Sequence, residues 1–474
     1  MQPVELPLFL PGAGEQFRFH FDQRKCIGCK CCVVACNEQN GNPASINWRR
    51  VGEIEGGWYP HTSRSYLSMG CNHCLEPTCL EGCPVDAYTK DPATGIVRHS
   101  ADACIGCQYC TWNCSYGVPQ YNPERGVVGK CDMCHGRLAL GQSPACVSAC
   151  PQGAIEIEIV RTADWRRACA APIPIAGVPV RDHSISTTRV TPAELPPNAA
   201  LVESTHVVPE HPHWPLVVMT VLTQLSVGAF ATIWLLQMLG ASARLGVAAI
   251  ASIFVAGLAL AASTLHLGRP IHAARALRMW RRSWLSREVL LFALFSGVAT
   301  VYAATLNSAV GALTVLIGLG GVTASACIYR VPARPAWNTP LTLARFIVTG
   351  GVLGPLFAAA VGAGDARAVA LTAAGMAGLQ FVLVAFGFLR SVASDVPELK
   401  GTARLLSTVL ANRLLLRGIL LAAGAIVLPL LGVLPALALL LALAGEILGR
   451  YLFFVSVVPK HLAAPYVTPV SEAA

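Results

Sequence analysis

Acidic residues are almost missing from the second half of this chain. Residues 214–474 hold 6 Asp and Glu against 18 Lys and Arg, a net of +12, while residues 1–213 hold 20 against 17, a net of −3. Charge of either sign is scarce, at 13% of 474 residues, and aromatic residues reach only 7%. So little charge beside 54% hydrophobic residues excludes an ordinary soluble protein of this length. The overall +9 belongs to the second half alone, where arginines punctuate apolar runs, so no nucleic-acid partner is expected. Cysteine shows the opposite imbalance: of 19, only Cys327 lies beyond residue 169. The sequence reads as two different proteins joined end to end.

In the first half the cysteines form four groups of four. They are Cys26, Cys29, Cys32 and Cys36; Cys71, Cys74, Cys79 and Cys83; Cys104, Cys107, Cys110 and Cys114; and Cys131, Cys134, Cys146 and Cys150. Cys31 breaks the C-x2-C-x2-C-x3-C spacing of the first group and is expected to be a buried spare thiol; Cys169 and Cys327 are also left over. Three thiolates within seven residues wrap one face of a cubane cluster, and a fourth, three residues on, reaches the other cluster of a pair. Structural zinc closes with four ligands from two CxxC pairs and has no use for the third cysteine of such a run. Disulfides are not excluded by cysteine parity.

Crossed pairing predicts four [4Fe-4S] clusters in two ferredoxin-like pairs. If group one pairs with group four, Cys150 completes the set of Cys26, Cys29 and Cys32, and Cys36 that of Cys131, Cys134 and Cys146. Groups two and three would exchange Cys83 and Cys114 in the same way. Between them, "AYTKDPATGIVRHSADA" reads as a hairpin, and "GAIEIEIV" (153–160) as an edge strand.

These groups, together with "SYGVPQYNPERG" (115–126), resemble the four-cluster electron-transfer subunits of the dimethyl sulfoxide reductase family of molybdenum enzymes, over about residues 15–160. The sequence departs from that pattern at Asn37 and Ser115, which follow a fourth cysteine where proline is common. The resemblance implies a subunit that moves electrons while a separate large molybdopterin subunit does the substrate chemistry. Nothing in this chain resembles a pterin-binding domain.

Residues 161–213 are rich in proline and weak in pattern, which reads as an extended linker; His206, His211 and His213 within it are expected to be solvated. From Trp214 onward, eight apolar stretches reach the length needed to cross a bilayer: 215–239, 246–266, 288–306, 309–328, 346–363, 368–390, 414–434 and 436–457. No segment near the start resembles a signal peptide, and there is no twin-arginine motif. The expected architecture is an α+β ferredoxin-like domain of two pseudo-symmetric double-cluster modules (1–160), the linker (161–213) and an all-α eight-helix transmembrane bundle (214–474).

His266 and Glu288 fall at the end of the second stretch and the start of the third, hence on one membrane face, the face of the cluster domain. A titratable pair there suits a quinone, whose two electrons must be matched by two protons. "HPHWPLVVMTVLTQ", "STLHLGRP", "WLSRE" and "LAGEILGRYLFF" resemble the eight-helix quinol-interacting anchor subunit of dimethyl sulfoxide reductase, over about residues 211–460. The resemblance implies a quinone role for His266 and Glu288. Glu446 and Arg450, four residues apart, read as a structural ion pair. No haem is expected, because His266, His272 and His461 are the histidines of this half and none lies mid-span.

Short loops on the face of the cluster domain carry nearly all the arginines, with Arg244 and Arg367 on the other face. By the positive-inside rule the cluster domain is then cytoplasmic, at a bacterial inner membrane. An inward-facing enzyme resembles the sulfite-oxidising members of the family, which pass electrons to quinone. The alternative is a dimethyl sulfoxide, tetrathionate or polysulfide reductase subunit oxidising quinol. A rival of another class is an iron–sulfur-regulated transporter or redox sensor, disfavoured by spans that are nearly charge-free.

Overall fold

A computed structural model describes residues 10–171, 178–179, 184–202 and 207–460. The polypeptide forms two compact units, divided between Val207 and Val208, with Pro459 and Lys460 assigned to the first.

In the first unit, strand β1 (Glu15–Asp22) is "EQFRFHFD", and its alternation buries Phe17, Phe19 and Phe21 on one face. Short elements of this kind make up the rest of the unit. Its helices among the described residues are α1 (Cys31–Asn40), α2 (Thr78–Gly82), α3 (Tyr109–Asn113), α4 (His135–Ala139), α5 (Ala145–Ser148) and α6 (Thr162–Cys169). Strands β2 (Arg50–Trp58) and β3 (His61–Met69) pair antiparallel, with Arg50 opposite Met69 and Trp58 opposite His61. Strands β4 (Tyr88–Lys90) and β5 (Val97–His99) make the expected hairpin between cysteine groups two and three, and β6 (Gln120–Asn122) with β7 (Val127–Gly129) makes another. Strand β8 (Ile155–Arg161), the predicted edge strand, does run along one edge of its sheet, antiparallel to β1.

The prolines of 161–213 are misleading as a sign of an extended linker. Residues 162–169 form α6, whose Trp165 and Cys169 are buried with Ile185. Strand β9 (Arg189–Thr191) joins the same sheet on the other side of β1, and β10 (Ala200–Leu201) pairs with β2. The prolines of this segment fall outside both strands, which are short and lie at sheet edges. Most of the described part of this segment is thus an integral part of the first unit.

The second unit is a bundle of eight helical spans, each long and apolar enough to cross a membrane. They are α7 (Trp214–Met238), α8 (Leu245–Leu265), α9 (Trp284–Thr305), α10 (Ser308–Tyr329), α11 (Pro340–Val361) and α12 (Ala366–Ala393); then, after the amphipathic α13 (Pro397–Ser407), a seventh span begun by α14 (Ala411–Ala422) and ended by α15 (Leu428–Leu431), and finally α16 (Pro435–Val455). All eight agree with the predicted stretches to within a few residues, except that the third begins at Trp284 and the fifth at Pro340, each a turn or more early. Close packing depends on glycine: a Cβ on Gly228 of α7 would lie 2.0 Å from the Gly350 carbonyl oxygen of α11. The seventh span carries a π-helical turn at Ala423–Val427, where a Cβ on Gly424 would meet the backbone of α16 at 2.4 Å.

Candidate functional site

The cysteine loops of groups one and three share one plan. In "CIGCKCC" and "CIGCQYC", Gly28 and Gly106 take φ 72° and 70°, and Lys30 and Gln108 both take φ 59° just before a helix. These left-handed turns curl each loop so that its thiols converge. Gly28 is required twice over, since a Cβ there would also meet the Tyr66 ring at 2.5 Å.

The thiols converge in crossed sets. Burial raises the pKa of Cys26, and its thiol neighbours Cys32, Cys150 and Cys29 add to the rise. Burial likewise raises Cys36, whose thiol neighbours are Cys131, Cys146 and Cys134, none of them from its own group. Cys79 is pushed up by burial and by Cys114, Cys71 and Cys74, and Cys110 by burial and by Cys107, Cys83 and Cys104. Helix α1 packs on α5, and α2 on α3, which brings group one to group four and group two to group three. One cavity, with about 320 Å³ of open space, is lined by Cys26, Cys29, Cys32 and Cys150; another, of about 350 Å³, by Cys71, Cys74, Cys79 and Cys114.

This donor set fits iron–sulfur clusters. All nineteen cysteines are free thiols, although sixteen are gathered in fours. Burial pushes Cys107 and Cys134 up to about 12, so a bound cation is needed to hold such groups as thiolates. Donors are aimed at the sulfurs: Ala87 N–H to Cys83 at 3.3 Å, Met133 N–H to Cys131 at 3.4 Å and Ala154 N–H to Cys150 at 3.2 Å. Such N–H···S bonds tune cluster potentials.

Two cations that sequence reasoning missed complete the environment. Arg49 and Lys130 are buried among the thiols. Burial opposes their charge, yet neighbouring cysteines hold both pKa values above the ordinary ones: Cys146, Cys32, Cys131 and Cys36 for Arg49, and Cys71, Cys79 and Cys131 for Lys130. The Lys130 Nζ donates to the Cys71 Sγ at 3.5 Å and to the Cys131 carbonyl at 2.8 Å. A lone lysine before a cysteine carries no signal in sequence that it will be buried. Cys31 also corrects the expectation: it is exposed, not buried, because it opens α1 on the side turned to solvent, next to Cys29.

In the bundle, His266 caps the end of α8 and Glu288 sits in the first turns of α9. Glu288 is 7% exposed, its Oε1 has no hydrogen-bond partner, and Ser325 of α10 stands beside it. The Nδ1 of His266 is likewise buried without a partner, and the charge neighbour of its ring is His213. His266 and Glu288 form no ion pair within 4.0 Å among the described residues. His213, expected to be solvated, is half-buried against Phe454, while His211, its ring 5.9 Å away, is exposed; His206 and His461 lie outside the described residues. Glu446 and Arg450 do not close the expected ion pair either. Glu446 accepts from Thr349 and Gln380 at 2.9 Å each, while Arg450 donates to Gln224 at 2.8 Å.

Residues 62–159 match the 4Fe-4S dicluster domain family, and residues 209–455 match the DMSO reductase anchor subunit family. Over 172 residues the sequence is 39% identical to an anaerobic dimethyl sulfoxide reductase chain of Haemophilus influenzae, a match that covers 34% of this polypeptide and 83% of that one. It is 38% identical to the formate dehydrogenase iron-sulfur subunit of the same organism over 152 residues, 28% and 48% of the two chains. It is 34% identical to a sulfite dehydrogenase subunit of Allochromatium vinosum over 160 residues, 29% and 67% of the two. With crossed cysteine sets in one unit and eight apolar spans in the other, this polypeptide belongs to the dimethyl sulfoxide reductase family, as an iron–sulfur electron-transfer domain joined to a DMSO reductase anchor domain.

Proposed function

We propose that this protein links a separate molybdopterin catalytic subunit to the membrane quinone pool. The crossed gathering of sixteen thiols carries the reading, since each set offers four sulfurs to one [4Fe-4S] cluster. Cys26, Cys29, Cys32 and Cys150 would hold one cluster, and Cys36, Cys131, Cys134 and Cys146 a second. A third would be held by Cys71, Cys74, Cys79 and Cys114, and the fourth by Cys83, Cys104, Cys107 and Cys110. When bound, the clusters supply one-electron carriers. The protein's part is to hold the sulfurs, supply N–H donors to them and place Arg49 and Lys130 between the sets.

His266 and Glu288 would take up or release the protons that accompany quinone chemistry, and no haem is required. Their unsatisfied, buried Nδ1 and Oε1 atoms support a ligand-facing role, because orphaned polar atoms in an apolar bundle are costly unless something meets them. The cluster domain is assigned to the cytoplasmic face on loop charge, and donor oxidation with quinone reduction is preferred. The likeness to a sulfite dehydrogenase subunit supports sulfite as the partner's substrate. Purification of the intact complex, with identification of the partner and assay of sulfite-dependent quinone reduction, is the test. A partner without molybdopterin overturns the reading, and a molybdoenzyme inert toward sulfite overturns the substrate alone.

A further inference from the structure

One cavity in the bundle lies away from His266 and Glu288, between the fifth, sixth, seventh and eighth spans. It holds about 1020 Å³ of open space and is lined by Arg345, Arg390, Arg417 and Arg450 against a single carboxylate, Glu446. That is a formal excess of +3 within a bundle that is otherwise nearly free of charge. Glu446 and Arg450 are 2% and 5% exposed.

Three of the four arginines donate hydrogen bonds to neutral groups. Arg450 donates to the Gln224 amide, Arg345 to the Leu383 carbonyl and Arg390 to the Thr339 hydroxyl. The Arg417 side chain forms no hydrogen bond and no ion pair within 4.0 Å among the described residues, and its Nε, like that of Arg345, is buried without a partner. Glu446 is within electrostatic reach of Arg417 and Arg450, but Thr349 and Gln380 occupy its oxygens. Gln380, 2% exposed, leaves its Oε1 unsatisfied at the same cavity.

The backbone makes room for this arrangement. A Cβ on Gly449 would stand 2.3 Å from the Arg417 Nε, and one on Gly387 would stand 2.1 Å from an Arg345 terminal nitrogen. Two glycines therefore admit two guanidinium groups that no carboxylate among the described residues pairs with. Uncompensated buried charge is expensive, so a site of this kind calls for an anion.

The rest of the lining says what carries it. Leu399, Leu406, Leu414 and Phe453 make much of the wall, with Leu399 and Leu406 contributed by the amphipathic helix α13. Guanidinium forks match phosphate oxygens, and basic pockets between spans near a membrane face take lipid headgroups. We infer that this cavity binds the phosphate of an anionic phospholipid, with Arg345 and Arg417 on the phosphate and the apolar wall along an acyl chain. Nothing in the inference depends on the quinone or cluster assignments.

The test uses the intact complex in nanodiscs of phosphatidylcholine doped with phosphatidylglycerol, with retained lipid measured by native mass spectrometry after mild delipidation. Wild type should retain phosphatidylglycerol in preference to phosphatidylcholine. Arg417→Gln should retain about tenfold less, the loss of one charge-assisted contact, and Arg345→Gln should behave alike. Arg278→Gln, which removes an exposed arginine of equal charge, should retain the wild-type amount. Cluster absorbance and the melting temperature report whether each variant is folded; should Arg417→Gln fail to fold, Arg417→Lys, which keeps the charge and loses the fork, carries the comparison. Equal retention by the Arg417 and Arg345 variants, equal loss in Arg278→Gln, or no preference over phosphatidylcholine overturns the site. Inorganic phosphate should leave the lipid in place, and its displacement by free phosphate would assign the pocket to a soluble anion instead.

Discussion

Arg450, in the last span, donates a 2.8 Å hydrogen bond to Gln224 in the first, and its guanidinium lies 3.6 Å from the centre of the Phe346 ring in the fifth. Three spans far apart in sequence are thereby tied at one buried cation. In hydrocarbon such a bond contributes about 1 kcal/mol, and leaving a buried charge without its acceptor costs more. Gln224→Leu should therefore destabilise the bundle by roughly 1–3 kcal/mol. Glu446→Gln, which keeps an acceptor for Thr349, should cost less. Unfolding in mixed micelles, followed by tryptophan fluorescence, gives both values; a larger loss for Glu446→Gln would mean that the i, i+4 pair matters after all.

Iron content tests the crossed sets. Anaerobically purified protein should hold about sixteen irons per chain, four for each of four clusters. Cys36→Ser and Cys134→Ser should alter the same electron paramagnetic resonance signal, although the two residues belong to different cysteine groups. Cys32→Ser should alter another signal, shared with Cys150→Ser, and Cys31→Ser should leave iron and spectra unchanged. If Cys36 and Cys32 variants disturb one common signal, each group holds its own cluster and the crossing is wrong.

Lys130 offers a separate readout of the same core. Its Nζ approaches Cys71 and is charged, so it favours the reduced, more negative state of whatever the Cys71 set holds. Removing it by Lys130→Gln should lower that centre's potential by tens of millivolts, about 60 mV for each tenfold change in a one-electron equilibrium. Redox-poised spectra of the two proteins decide it, and an upward shift would show that the lysine does not act through charge.

Much of this architecture is legible in the residues, for reasons that differ between the halves. Cysteine spacing is local and ligand geometry is strict, so "CIGCKCC" points to iron–sulfur chemistry before any fold is known, while which group partners it depends on how the helices pack. Apolar length likewise declares the spans, because a bilayer imposes one thickness on all of them. The segment from 161 to 202 is hard to read because proline suppresses strand and helix patterns without forbidding edge pairing, and β9 pairs with a strand far away in sequence. Arg49 and Lys130 give no signal, since burial of a lone cation depends on thiols supplied by other loops. The arginine cavity is equally hidden: Glu446 and Arg450 satisfy the spacing rule for a pair, but Gln224, Gln380 and Thr349 from other helices intercept both.

At the His266 and Glu288 positions, His266→Ala and Glu288→Gln should impair quinone-linked electron flow in the intact complex while dye-linked activity stays close to wild type. The buried, partnerless Nδ1 and Oε1 are the motive. Their neighbours sharpen the expectation. His213 is the charge neighbour of His266, so His213→Gln should also slow quinone turnover, by a smaller factor than His266→Ala. Quinone kinetics unchanged in both His266→Ala and Glu288→Gln would remove the pair from the mechanism.

The expected orientation rests on charge and parity. Eight spans return the polypeptide to the face from which Trp214 enters. On that face lie the segment around Pro270–Leu277 with Arg269, Arg275 and Arg278, the turn with Arg330 and Arg334, and the stretch around α13 with Lys400 and Arg404. The opposite face offers Arg244 and Arg367. Positive residues in short loops stay in the cytoplasm, so the start of α7 and the end of α16 should both be cytoplasmic. Arg345 and Arg417 weaken the count slightly, because they line a cavity and not a loop surface, yet the asymmetry survives without them. A fluorescent protein fused after Ala474 should therefore glow, and alkaline phosphatase at the same point should stay inactive. Active phosphatase there would place the cluster domain outside, and with it the preference for cytoplasmic sulfite oxidation would fall.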